Sequence, residues 1–398
     1  MRFSLHLRHS VKDQIQGMAR AMAGWDAHPR VDAAEQAAIA EHLVPFPHTT
    51  HLEEQVISAI DGSGYFPMLA YADSFVYLAT AQAVRYRAIG SKLREVGPEA
   101  DPLVDVCWLP EHERQRAVQL DETFARLAGA SLNEIITKSD YRQLQAHFTG
   151  REPSVAAAIA DLIRPNASDS GNLGIQLRSC AELGVARRII TDAEPGEIVL
   201  LDGTLALPFV QRAKGSLFHE HLKRACCMMA RERGVIVAWI SKSHGLPGID
   251  LIEQIAKDRG YVEHWFLRLP TAGDRWELSV LDGRNIPPPG AISYLWRTHR
   301  GMPVFRVDVD ADWWANQIRD DDHAETQQRE ASLFATLDFA GHDFRTRAYP
   351  YPLKAAHDRA SLTATERLAL RKQVIEAAVA AGMKASAFVD PSQLTGHA

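Results

Sequence analysis

Apolar and polar positions divide the chain into strand-length runs and longer helical stretches. Residues 1–55 read as a helical and connecting segment. Gln55–Ile60 is a short β-prone run that stops at Asp61–Gly64, and Phe66–Arg87, rich in β-branched and aromatic residues, reads as one or two further strands in a hairpin or meander. Residues 88–150 carry many charges in helical patterns, and Pro165–Asn172 has the chemistry of a loop. A helix is predicted over 174–192, a buried strand over Glu197–Leu201, a helix over 216–233 and a second buried strand over Gly234–Ile240. Val304–Val309 is a later strand, and the chain from about residue 351 is mostly helical. Strands alternate with helices and there is no repeat, so the expected fold class is α/β with a mixed sheet.

Composition narrows the function. With 398 residues, 46% of them hydrophobic and 24% charged, the chain is long enough for a sizeable globular core. The N-terminal stretch Met1–Asp13 has no long apolar segment, and Gly234–Ile240 is far too short to cross a bilayer, so a cytoplasmic protein without a membrane partner is expected. The four cysteines, at 107, 180, 226 and 227, form no metal or disulfide pattern and are expected as small buried hydrophobes. A net charge of −6 excludes a protein that coats nucleic acid by bulk charge, but not an enzyme with local basic groups.

The chemistry concentrates in carboxylates. Two strand patterns end alike, Ile60–Asp61–Gly62 and Leu201–Asp202–Gly203, and a glycine after the aspartate lets the chain turn and a phosphate approach. A single Asp–Gly is ordinarily a plain turn, and Asp282–Gly283, leading to Pro287–Pro289, is assigned to that case. Glu182 shares its helical face with Ser179, Ala186 and Ile189, so it sits on or beside a buried stripe, where a carboxylate needs a partner. Arg178, one turn earlier, could be that partner; the alternative is convergence with Asp61 and Asp202 on a hard divalent cation, magnesium or manganese. Such a site hydrolyses phosphodiesters. There is no GxGxxG, P-loop, HExxH or GxSxG motif, and His219–His221 (HEH) is expected as solvated helix surface.

These motifs, in their order, resemble the NurA nuclease family. The matching segments are Ile60–Ser63, Arg178 with Glu182, Val199–Leu205, Ile240–Ser243, Pro303–Arg306 and Tyr349–His357, together spanning residues 56 to about 365. The resemblance implies an RNase H-like core within a nuclease domain at 56–365, followed by a helical tail at 366–398. The long gap between Asp61 and Glu182 implies an insertion over 88–170, and Thr204 stands where the family has serine. The resemblance further implies a manganese- or magnesium-dependent deoxyribonuclease, a 5′–3′ exonuclease and single-strand endonuclease acting in DNA end resection. It implies a homodimer that works with a HerA-type hexameric ATPase. It names Asp61, Glu182 and Asp202 as metal ligands and Tyr349 and His357 as residues needed for activity. By physical reading, Lys242 could hold a phosphate or orient a carboxylate, and Arg306 could pair with Asp308 and Asp310 or grip DNA. Tyr349 could stack on a base or bond a phosphate. His357, on a helical side with Leu353, Ala356 and Ala360, would otherwise be a core histidine. Trp313–Trp314 suits a core or an interface more than base stacking. The alternatives are a non-catalytic DNA- or ATPase-binding adaptor of the same fold, or another RNase H-like nuclease.

Overall fold

A computed structural model describes residues 8–25, 31–72, 74–97, 101–110, 112–164, 170–205, 216–244, 246, 248–271, 274, 276–279, 290–342, 346 and 349–390. Helices α1 (His9–Trp25) and α2 (Ala33–His42) lead into β1 (Leu43–Pro45), β2 (Leu52–Tyr71), β3 (Ser74–Gly90), β4 (Lys92–Glu95) and β5 (Leu103–Leu109). Four helices follow, α3 (Glu113–Ala128), α4 (Leu132–Lys138), α5 (Tyr141–Thr149) and α6 (Val155–Ala160), then β6 (Leu162–Ile163) and the long α7 (Ser170–Asp192). The second half runs β7 (Ile198–Asp202), β8 (Ser216–Leu217), α8 (Phe218–Arg233), β9 (Ile236–Ser241), α9 (Ile249–Asp258), β10 (Trp265–Arg268), β11 (Ala291–Arg297) and β12 (Phe305–Asp310). It closes with α10 (Ala311–Gln317), α11 (His323–Gly341), α12 (Tyr351–Ala360), α13 (Ala364–Ala380) and β13 (Phe388–Val389).

One 11-stranded mixed sheet organises the chain, in the order β1-β10-β11-β12-β9-β7-β2-β3-β4, with β5 also on β3 and β13 also on β2. β2 and β3 form a long antiparallel hairpin, while β7 runs parallel to both β2 and β9. Antiparallel strands leading into the parallel set β2, β7 and β9 make the mixed α/β sheet flanked by helices that was expected. The register shift between Tyr65 and Leu69 contains Pro67, which lacks an N–H for the ladder. The apolar runs of β7 and β9 are buried on both faces, as parallel strands require. Val199, Leu201 and Trp239 face one core with α3, α7 and α8; Ile57, Ala59, Leu200 and Ile240 face the other with α11 and α12.

Several expectations change in the folded chain. β2 does not stop before Asp61: it continues to Tyr71, because β3 pairs it past this point, with Asp61 opposite Gln82 and Gly62 opposite Ala81. What ends at Ile60 is the parallel ladder to β7. Residues 88–150 are not only helical; β4 and β5 extend the sheet there. The 366–398 segment holds, besides α13, a strand that pairs with the end of β2. Residues 165–169 of the expected loop, Asp282–Gly283 and Pro287–Pro289 lie outside the described residues. All four cysteines are buried and free. Trp313 is buried in the core, and Trp314 donates its indole N–H to Glu330.

The expectation that His219–His221 is solvated surface is overturned. His219, Glu220 and His221 are all buried. Helix α8 packs against α7, α4 and α5, so no side of its first ten residues, Phe218 to Cys227, is left to water, and their charges are met internally. Glu220 lies 3.0 Å from His219 and 3.1 Å from Lys223, and Arg224 makes a fork to Asp140 at 2.7 and 2.6 Å. Burial, reinforced by Arg142, pushes the His221 imidazole down to about 4. As pH falls below about 6.5 the unfolded chain takes up this proton first, so the stability His221 contributes is full above 6.5 and is lost toward 4. His221→Phe keeps a ring against Tyr141, 4.9 Å away, and removes the titration. The stability difference between the two proteins, from denaturant unfolding, should therefore change by up to about 3 kcal/mol from pH 7 to pH 4.5 in favour of the variant. A constant difference across that range contradicts the assignment.

Candidate active site

The site forms where the parallel ladder of β2, β7 and β9 ends, β2 itself running on. Asp61 follows the last β2 residue paired with β7, Asp202 ends β7, and Lys242 follows β9. Alternation puts Asp61 on the sheet face that carries α12, and Gly62 on the face that carries α7. Helix α12 lays His357 on the first face, where its Nδ1 is 2.8 Å from Asp61 Oδ2; Asp61 Oδ1 accepts from the Gly62 N–H at 2.7 Å. The rest of His357 is open, 63% exposed, which corrects the core alternative for this residue. Its Nε2 lies 3.4 Å from the Ser361 hydroxyl.

On the opposite face, Glu182 reaches over Gly62. A Cβ at Gly62 would stand 2.7 Å from both Glu182 Cγ and Oε1 and 2.9 Å from Arg178 Cγ. Only a residue without a side chain lets α7 bring its carboxylate to the strand. Arg178 and Glu182 pair at 3.1 Å, so the partner reading holds for Glu182. Gly62→Ala should therefore displace Glu182 and Arg178 from the cluster. Whatever activity the site performs should fall at least ~10-fold, while the flexible ends of these side chains absorb most of the clash. An unchanged rate, measured at saturating substrate, would show that Glu182 is not needed where it sits.

Electrostatics tie the carboxylates together. Burial, then the neighbouring charges of Asp61 and Asp202, raise the Glu182 carboxyl to about 8 against the opposing pull of Arg178. Loss of surrounding water, then Asp61, hold Asp202 above its ordinary range, countered by Lys242, although its side chain is 39% exposed. Lys242 Nζ lies 3.7 Å from Asp202 Oδ2, pairing with that carboxylate, and 4.2 Å from the centre of the Tyr349 ring. Tyr349 is buried, and burial with the charges of Asp202 and Asp61 raises its phenol, which stays a hydrogen-bond donor at neutral pH. Arg306 does not reach this surface. It is fully enclosed and pairs with buried Asp308 at 2.7 Å, whose other oxygen accepts from the Leu205 N–H at 3.0 Å. Of the two roles expected for Arg306, pairing with Asp308 is the one its position permits, and the expected DNA contact is corrected by its burial. Through Asp308 it anchors the turn after Asp202.

The donor set fits a hard divalent cation. The three carboxylates offer only oxygen, their charges destabilise one another, and two cations, Arg178 and Lys242, offset them in part. The trio is open: among the described residues, only His48, His264 and Asp338 bring three such ligand atoms within 4.8 Å of one another. That second cluster was invisible in the sequence, because its members lie from 74 (338 − 264) to 290 residues apart.

No protein-family model and no curated protein matches the chain. Among solved structures, it is similar to the NurA nuclease from Sulfolobus solfataricus, with 14% identity over 94% of this chain and 96% of that one and a TM-score of 0.44. A structure of NurA with manganese shows 11% identity over 95% and 99%, with a TM-score of 0.41. Endonuclease V from Streptomyces avermitilis shows 14% identity over 88% and 97%, with a TM-score of 0.30.

Proposed function

We propose that this chain is a divalent-metal-dependent deoxyribonuclease. The observation that carries this is that Asp61 and Asp202, beside the end of the parallel ladder, stand near enough to Glu182 on α7 for their charges to act on it, with His357 bonded to Asp61. Asp61 and Asp202, with Glu182 directly or through water, would hold manganese or magnesium, which would supply Lewis acidity toward a phosphodiester. The chain's own groups do the rest. His357 is oriented by Asp61 through Nδ1, which leaves Nε2 of this exposed side chain, with only the Ser361 hydroxyl at 3.4 Å, to pass a proton or bond a phosphate oxygen. Tyr349 offers a neutral hydroxyl beside the aspartates, Lys242 steadies Asp202, and Arg178 offers a cation to the substrate backbone.

The finer reading follows the motif order of the sequence: 5′–3′ exonuclease and single-strand endonuclease action in end resection, in the cytoplasm, as a homodimer with a HerA-type hexameric ATPase. The absence of a P-loop in the sequence supports an external motor. Among the described residues no helix is long and apolar enough to cross a membrane.

The test is cleavage of single- and double-stranded DNA by the purified chain with manganese, magnesium or chelator. No metal-dependent cleavage of any DNA substrate would overturn the reading. Within the same assay, His357→Ala and Tyr349→Phe should lower turnover about 10²-fold while changing DNA affinity little, because both act on the reacting centre. If either variant weakens binding and turnover equally, that residue only grips substrate.

A further inference from the structure

A second cluster lies at another place in the fold. β1 and β10 pair antiparallel, Pro45 opposite Trp265, and the Phe46 N–H extends the ladder to the His264 carbonyl at 3.0 Å. This brings His264, just before β10, beside His48, just after β1; their ring centres are 4.7 Å apart. The last turn of α11 then places buried Asp338 between them. Its Oδ2 is 2.8 Å from His48 Nδ1 and accepts from the Thr49 N–H at 3.0 Å, while its Oδ1 is 3.8 Å from His264 Nε2. Each carboxylate oxygen thus faces a different imidazole. His342 caps α11 four residues after Asp338, and its ring centre is 4.9 Å from that of His48. His264 has a left-handed backbone, φ +57°, which a non-glycine residue adopts only when its surroundings hold it there.

The geometry points to a structural site for a zinc-class divalent transition ion, held by His48, His264 and Asp338, with His342, beside His48, a candidate fourth donor. Two or three imidazoles with one carboxylate select zinc and its neighbours over magnesium or calcium, unlike the all-oxygen cluster at Asp61. Tetrahedral zinc at its usual bond lengths sets donors ~3.3 Å apart. The separations of 2.8 and 3.8 Å bracket that value, so small side-chain rotations would complete the shell. The ion would tie together three segments distant in sequence. One enters β2, which carries Asp61; another ends α11, the last helix before Tyr349 and α12. It would stabilise the scaffold of the acidic site without taking part in its chemistry.

The test uses the full chain stripped by chelator, titrated with zinc by calorimetry, followed by thermal unfolding, and with cobalt(II) by visible absorption. Wild type should bind one tight equivalent of zinc, rise in Tm, and show the intense cobalt bands of a tetrahedral nitrogen-containing site. The Asp61→Ala/Asp202→Ala protein should keep all three. His264→Asn, which tolerates the left-handed backbone, and Asp338→Asn should lose at least 100-fold in zinc affinity. His48→Gln, at a side chain 42% exposed, should do the same in a protein that folds normally. No tight zinc in wild type overturns the proposal. So does binding that survives His48→Gln and His264→Asn, or that vanishes only in the Asp61→Ala/Asp202→Ala protein.

Discussion

Asp61→Ala and Asp202→Ala should each abolish metal-dependent cleavage, by at least ~10³-fold, while leaving the fold as stable as before or more so. Both halves of this expectation come from the same geometry. Asp61 holds the His357 imidazole through one oxygen and accepts from the Gly62 N–H through the other, so its loss frees the histidine and, on the proposed reading, takes away a metal ligand. Asp202 stands at the end of the next strand, with Lys242 as its counter-charge. Neither aspartate belongs to a hydrophobic core cluster. Each adds to the negative field that raises Glu182 to about 8, so removing either relieves repulsion in the folded state. Single-turnover cleavage with manganese, paired with thermal unfolding in chelator, reads both at once. Full activity in the two variants would remove the cluster from the mechanism. A large fall in Tm would show that the carboxylates hold the fold together instead.

Gly184→Ala should be strongly damaging, since among the glycines described it is the one whose added Cβ would come nearest another atom. Alanine normally stabilises a helix interior relative to glycine. Here a Cβ would lie 1.9 Å from the Leu127 carbonyl oxygen and 2.9 Å from its carbon, both backbone atoms at the end of α3. No rotamer relieves that clash; α3 or α7 has to move. Arg187, one turn on, donates to the Ala128 carbonyl at 2.8 Å, so displacement breaks that bond as well. The expected cost is about 3 kcal/mol or more, a fall in Tm of several degrees, and a loss of activity, because α7 also carries Arg178 and Glu182. A Tm equal to or above wild type would mean that the two helices are not in backbone contact.

The sequence by itself determined which segments are strands and helices around the site, because local pattern and burial agree there. The buried runs of β7 and β9, and the helices before each, need only periodicity to be seen. It also singled out Asp61, Asp202 and Glu182, since two Asp–Gly motifs after apolar runs and a glutamate on an apolar face are local anomalies. Tertiary structure decided what distance along the chain conceals. β2 runs through Asp61 because β3, a partner later in sequence, continues the ladder. His219–His221 is buried because neighbouring helices close the side that helical spacing alone assigns to water. Arg306 turns inward because Asp308 lies beside it on the same buried strand. His357 meets Asp61 across 296 residues, and His48 meets Asp338 across 290. Hydrophobic period is a property of neighbours in the chain, whereas a ligand set or a backbone contact depends on which elements the folded sheet brings side by side.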